Sequence, residues 1–222
     1  MPGFFVTLEG PEGAGKSTLL MALGRWLEAT NRHSVLTRNP GGTAIGRAIR
    51  AVLLDREFGQ MAPMSELLLY AADRAQHVEE VVRPALAAGA VVLCDRFYDS
   101  TVAYQGGGRG LPVSLLQNLH ALATGNLTPH LTLLLDLPVE VGLKRLQARA
   151  EADRIEDEAV LFHERVRATY LALAEGHPER FRVLDARQSP EAVYHAACTH
   201  LMDLLDGATD SGDAVSGKAG KV

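Results

Sequence analysis

The run Gly10-Pro11-Glu12-Gly13-Ala14-Gly15-Lys16-Ser17 satisfies G-x-x-x-x-G-K-[ST] and constrains the chain more than any other stretch. The apolar segment Phe4 to Glu9 precedes it, and Leu19, Leu20, Leu23, Trp26 and Leu27 follow at helical spacing. Strand, glycine-rich turn and amphipathic helix in that order make a phosphate-binding loop. The glycines let backbone N–H groups converge on an anion, and the helix N-terminus adds its positive dipole end. Lys16 can reach a transferred phosphoryl group, and Ser17 can ligate Mg²⁺. Residues Gly10 through Thr18 are therefore the candidate ATP-binding turn, and Trp26 reads as core.

Further along, β-rich runs alternate with longer helical patterns, as in a parallel sheet covered on both faces by crossover helices. The pattern predicts five strands, at Phe4 to Glu9, Ser34 to Thr37, Ala90 to Asp95, Leu131 to Asp136 and Arg182 to Asp185. Ser65 is a candidate N-cap for a helix burying Leu67, Leu68, Ala71 and Val78. Another helix follows Asp99 and is expected to end at Gly106-Gly107-Gly108, where the glycines permit a bend. One P-loop domain over residues 1–206 is the expectation, with a charged, exposed lid at about 147–158 and a disordered C-terminal tail over 207–222, which holds no aromatic residue, Leu or Ile.

Composition narrows the partners. With 27 acidic against 22 basic residues the net charge is -5, which argues against a general polyanion binder, so no nucleic-acid partner is expected. A small anionic ligand remains compatible, because its site is built from a few converging donors. The 2 cysteines, Cys94 and Cys198, sit among apolar neighbours and suit a reducing cytoplasm. No secretory signal or membrane span is visible. No Asn-Lys-x-Asp guanine-reading motif occurs, which removes a Ras-like switch. Arg38 and Arg96 leave the carboxyl ends of the second and third strands, where ligands of open parallel sheets bind, and their forks suit a phosphate. Arg47 on the following helix is a further candidate, with an ordinary surface charge as its alternative. Tyr70 and Arg74, four apart on a helix, place an aromatic plate beside a fork of donors. Asp95 is a candidate for holding Mg²⁺ through water.

Four motifs together carry a family resemblance: the P-loop, Thr37-Arg38-Asn39-Pro40-Gly41-Gly42-Thr43, Asp95-Arg96-Phe97 with Ser100 and Ala103-Tyr104-Gln105-Gly106, and Asp153-Arg154-Ile155-Glu156. In these the chain resembles bacterial thymidylate kinases from Phe4 to about Leu205. The resemblance implies an α/β P-loop nucleoside-monophosphate-kinase fold that is usually a homodimer, and Mg²⁺-dependent transfer of the ATP γ-phosphoryl group to dTMP. It implies that Tyr70 stacks on thymine, that Arg74 reaches its carbonyl edge, and that Tyr104, Gln105 and either Ser100 or Thr101 complete the recognition. Glu12 takes the place of the family acid that accepts from the sugar 3′-hydroxyl.

Members of the family carry a catalytic arginine either in the P-loop or in the lid. Pro11, Glu12, Gly13 and Ala14 leave none in the P-loop, so the resemblance assigns it to the lid residues Arg149 and Arg154, with Arg145 stacking on adenine. Glu156 is expected to orient the lid or touch the acceptor nucleotide. Two positions depart from the common pattern: Asn39 replaces the usual glutamate and Phe97 the commoner tyrosine. The competing readings are a P-loop kinase for another small acceptor and a nucleotide-dependent switch without catalysis.

Overall fold

In the computed structural model, residues 3–147 and 153–213 are described. Five strands form one parallel sheet in the order β2-β3-β1-β4-β5: β1 (Phe4–Glu9), β2 (Ser34–Arg38), β3 (Val91–Asp95), β4 (Leu131–Asp136) and β5 (Phe181–Asp185). Each expected strand is present, with ends differing by a single residue at most. The P-loop strand is central, so the chain runs outward to β2 on one side and crosses to β4 on the other. The carboxyl edge at such a reversal is where a crevice opens. Register fixes what meets there, for Arg38 pairs with Asp95 across β2 and β3, and Leu8 pairs with Asp95 across β1 and β3.

Strand alternation divides the core. Val6 and Leu8 face α1 (Lys16–Ala29) and the long α9 (Pro190–Asp213), meeting Leu19, Leu23, Leu27, Leu201 and Leu205. Trp26 packs only partly buried against this cluster. Phe5, Thr7 and Glu9 point to the other face, which is why a carboxylate at the end of β1 lands beneath the opposite helices. That layer contains α2 (Ala44–Leu54), α3 (Pro63–His77), which continues through a wide turn Val78–Val82 into α4 (Arg83–Ala87), and α5 (Tyr98–Thr101), which runs into a second wide turn Val102–Gly108. The remaining helices are α6 (Val113–Thr124), α7 (Val139–Gln147) and α8 (Val160–Gly176), whose stripe of Phe162, Val166, Tyr170 and Ala174 is buried.

Some local expectations are corrected. The N-cap of α3 is Ala62, followed by Pro63, whose preset φ suits a first turn, so Ser65 lies inside the helix. The helix after Asp99 ends at Gly108 as expected, and Gly107 and Gly108 have a packing role besides. They clear a path for α8, because a Cβ at Gly107 would collide with Thr169 and one at Gly108 with the Phe162 ring. Arg165 seals the contact by donating to the carbonyls of both glycines. The final helix extends to Asp213, past the boundary expected at 206, and residues 214–222 of the expected tail lie outside the described residues. No helix among the described residues is long and apolar enough to cross a membrane.

Overpacking this contact leads to a measurable loss. Gly108→Val is expected to lower unfolding stability by about 2 kcal/mol, read from the urea midpoint. An unchanged midpoint would contradict the packing role.

Candidate active site

The P-loop turns directly out of β1. Gly13, at φ 72°, packs its Cα side against the Gly142 carbonyl of α7, a backbone conformation and a clearance that only glycine supplies. Gly15 caps α1 from the left-handed region with no side-chain bond, which leaves the first-turn N–H groups directed to the cleft. Lys16 is buried, with Nζ donating to the carbonyls of Gly10 at 3.0 Å and Pro11 at 2.8 Å. Burial, reinforced by the nearby Arg96 guanidinium, pushes its ammonium down to about 8. Ser17 donates to Asp95 Oδ2 at 2.7 Å. This hydroxyl and carboxylate form a hard-oxygen pair beside the loop, a donor set that fits Mg²⁺. Among the described residues no group of three His, Cys, Asp or Glu surrounds a metal position, so phosphate oxygens and water would complete such a shell.

Arg96 lines the same cleft and is bonded directly to the P-loop. It adopts φ 70°, unusual for a residue with a side chain, and its N–H bonds to the Leu8 carbonyl. Nη1 donates to Gly10 O, Ser100 Oγ and Tyr170 OH, while Nη2 donates to Glu12 Oε1 at 2.7 Å and Tyr104 OH at 3.0 Å. Behind it lies the fully buried Glu9, which accepts from Phe97 N, Ser100 Oγ and Tyr170 OH at 2.6–2.8 Å. Burial, with Asp99 nearby, pushes the Glu9 carboxyl up. Glu12 goes the other way: burial pushes it up, but the charges of Arg96 and Lys16 prevail and hold it down to about 2.

The acceptor side of the cleft is lined by Arg38, Asn39, Pro40, Arg50, Leu54, Tyr70, Arg74, Ser100, Thr101, Tyr104 and Gln105. Arg74 is buried, with Nε donating to Asn39 Oδ1 and Nη2 to Thr101 Oγ1. Asn39 also donates to Asp73, whose other oxygen accepts from Gly41 N. An amide at position 39 thus bridges a buried cation and a buried carboxylate. Ser100 and Thr101 both line the cleft, but Ser100 is occupied by the Glu9 and Arg96 network, and Thr101 holds Arg74.

Arg47 is exposed and does not line the cleft; Arg50 does. Gly46 faces inward on α2, and position 50 repeats that face one turn later, whereas position 47 rotates away. Arg50 donates to Pro40 O at 3.1 Å.

Of the expected lid arginines, Arg149 lies outside the described residues. Arg154 is buried away from the P-loop, donating to Leu53 O at 2.8 Å and to Glu66 Oε2 at 2.6 Å. Its neighbours Asp153, Ile155 and Glu156 line the cleft instead, with Asp153 Oδ1 accepting from the N–H groups of Ile155 and Glu156 in a tight turn. The expectation of an exposed excursion is therefore corrected for Arg154 and Ile155, both buried. Arg145 spans from Gly13 O to Ala186 O at 3.2 Å each and borders a separate apolar groove of about 820 Å³, shared by Gly15, Thr18, Trp26, Gln188 and Tyr194.

Sequence reasoning missed Glu9, Arg50, Glu66 and Tyr170. Tyr170 sits in the apolar stripe of α8 and reads as core. Glu9 carried a usable signal, since a carboxylate closing an otherwise apolar central strand requires buried donors.

A phosphate loop facing a wall of fixed guanidiniums across one cleft, with an aromatic-lined pocket beside it, defines a P-loop phosphotransferase with two anionic substrates. The sequence profile described as Thymidylate kinase matches residues 8–197. The thymidylate kinase of Desulfovibrio desulfuricans is 57% identical over 196 residues, covering 85% of this chain and 90% of that protein. That of Pseudomonas putida is 55% identical over 206 residues, covering 93% and 98%, and that of Solidesulfovibrio magneticus 54% over 199, covering 86% and 95%. The chain belongs to the thymidylate kinase family.

The opposed carboxyls have a testable pH consequence. Because the folded-state value of Glu12 is depressed, its stabilisation is present above about 4.5 and fades as pH falls toward about 2. Glu12→Gln is expected to reduce the loss of unfolding free energy between pH 5 and roughly pH 3, measured by urea titration. A loss as large as in the parent protein would contradict the assignment.

Proposed function

We propose that this protein is a dTMP kinase that transfers the γ-phosphoryl group of ATP to dTMP, giving dTDP and ADP for dTTP synthesis. The observation that carries the reading is the shared cleft: the P-loop, Arg96 and the Tyr70, Arg74 and Gln105 pocket line one cavity. In-line transfer between two phosphates needs fixed positive charge between them and little reorganisation as charge moves. Lys16 and the α1 N-terminus hold the donor phosphates, while Arg38, Arg50 and Arg96 hold the acceptor phosphate. Glu12 and Tyr104 orient Arg96 and meet the sugar. Tyr70 stacks on the base, and Arg74 and Gln105 read its edge. Ser17 and Asp95 would hold Mg²⁺, which neutralises phosphate charge during transfer.

The apolar groove bounded by Arg145 suits adenine. Arg149 is the lid's candidate for stabilising the transferring group, and Arg154 anchors the segment behind it. The protein is placed in the cytoplasm as a homodimer. Unpaired, buried Cys94 and Cys198 support the first assignment. The second is supported by exposed Ile45, Val52, Met64 and Leu68 on the packed helices α2 and α3.

ADP release in a coupled assay should be strong with dTMP, weaker with dUMP, and near background with dCMP or without acceptor. Equal turnover in every arm would contradict the reading.

A further inference from the structure

A buried carboxylate lies behind the acceptor pocket. Glu66 sits on α3 one turn before Tyr70, with its side chain 1% exposed. Its Oε1 accepts from Gln105 Nε2 at 2.8 Å and Arg109 Nε at 3.2 Å; its Oε2 accepts from Arg109 Nη2 at 3.0 Å and Arg154 Nη2 at 2.6 Å. Burial pushes this carboxyl up, but the hydrogen bonds from Arg109, Gln105 and Arg154 outweigh it and hold it below the usual range. An ionised carboxylate only accepts, so only the NH₂ group of Gln105 satisfies it. That choice selects one of the two orientations open to a glutamine amide.

We propose that Glu66 is a positioning residue for base selection, which takes an amide hydrogen of Gln105, fixes the orientation of the amide and so leaves its carbonyl oxygen as the acceptor presented to the base. Arg74 lines the same cleft and, as a guanidinium, carries donors and no acceptor. An acceptor beside a donor matches a pyrimidine-2,4-dione, whose N3–H donates and whose 4-carbonyl accepts. A 4-aminopyrimidine has the reverse pattern, with an accepting N3 and a donating amino group. Such a base would set acceptor against acceptor and donor against donor, leaving buried groups unpaired. Base choice is thus written one layer behind the pocket, in a residue that does not line it.

This inference rests on the acceptor-site reading above, and the experiment separates the two. Values of kcat/KM for dTMP and dCMP are measured for the parent protein, Glu66→Gln, Gln105→Ala and the double variant. A glutamine at position 66 both donates and accepts, which frees the Gln105 amide to turn over. E66Q is expected to lower the dTMP-to-dCMP ratio by roughly tenfold, chiefly through KM, and to change it no further in the Q105A background. If Q105A lowers the ratio while E66Q does not, or if E66Q acts equally in both backgrounds, the role of Glu66 is overturned. If Q105A leaves the ratio unchanged, the acceptor-site reading falls and takes the inference with it.

Should E66Q not fold, side-chain NMR of the parent protein asks the same question. On adding dTMP, the Gln105 carbonyl carbon should shift while its amide hydrogens stay in place. The opposite pattern would overturn the proposal.

Discussion

A guanidinium taken out of water needs nearly all its donors satisfied, and Arg96 meets that demand with oxygens from Gly10, Glu12, Ser100, Tyr104 and Tyr170. The remaining parts of the cleft follow from this arrangement. The P-loop contributes two of those oxygens, the helical segment after β3 two more, and α8 the last, so the donor side, acceptor side and far layer are joined through one cation. Its left-handed backbone costs on the order of 1–3 kcal/mol and is held by bonds from Arg96 N to Leu8 O and from Phe97 N to Glu9. A residue held at that cost, with its fork locked from behind, is a preorganised charge at the cleft.

The same arrangement explains how an acidic protein accommodates two anions. The net charge of -5 belongs to the whole chain, whereas Lys16, Arg38, Arg50, Arg74 and Arg96 line one cleft. Their mutual repulsion is visible in Lys16, which burial and Arg96 together lower to about 8. Glu12 counters it locally and is held ionised in return. Cations held in place by such contacts reorganise little when an anion binds.

The sheet was legible because its signals are local. Five apolar runs of β-rich composition, a glycine turn and periodic helices each specify themselves within a few residues. That the two strand-end arginines, the Tyr70 and Arg74 pair and Asp95 line one cleft was legible for the same reason, since strand register and helical period place them. Arg50 was missed in favour of Arg47 because choosing between neighbouring positions on α2 depends on which face packs against α3. Glu66 was illegible as a site residue because a carboxylate on a helix looks solvent-facing until its partners, distant in sequence, are known. Arg154 shows the converse, since charge-rich sequence around it suggested exposure, yet Glu66 and the Leu53 carbonyl draw it inside.

Replacement of Arg96 by lysine keeps the charge and removes the fork. Steady-state kinetics with ATP and dTMP, together with ATP affinity measured without acceptor, give the two readouts. R96K is expected to lower kcat/KM for dTMP by about 100-fold or more while ATP affinity changes little. Turnover within a few-fold of the parent protein would contradict it.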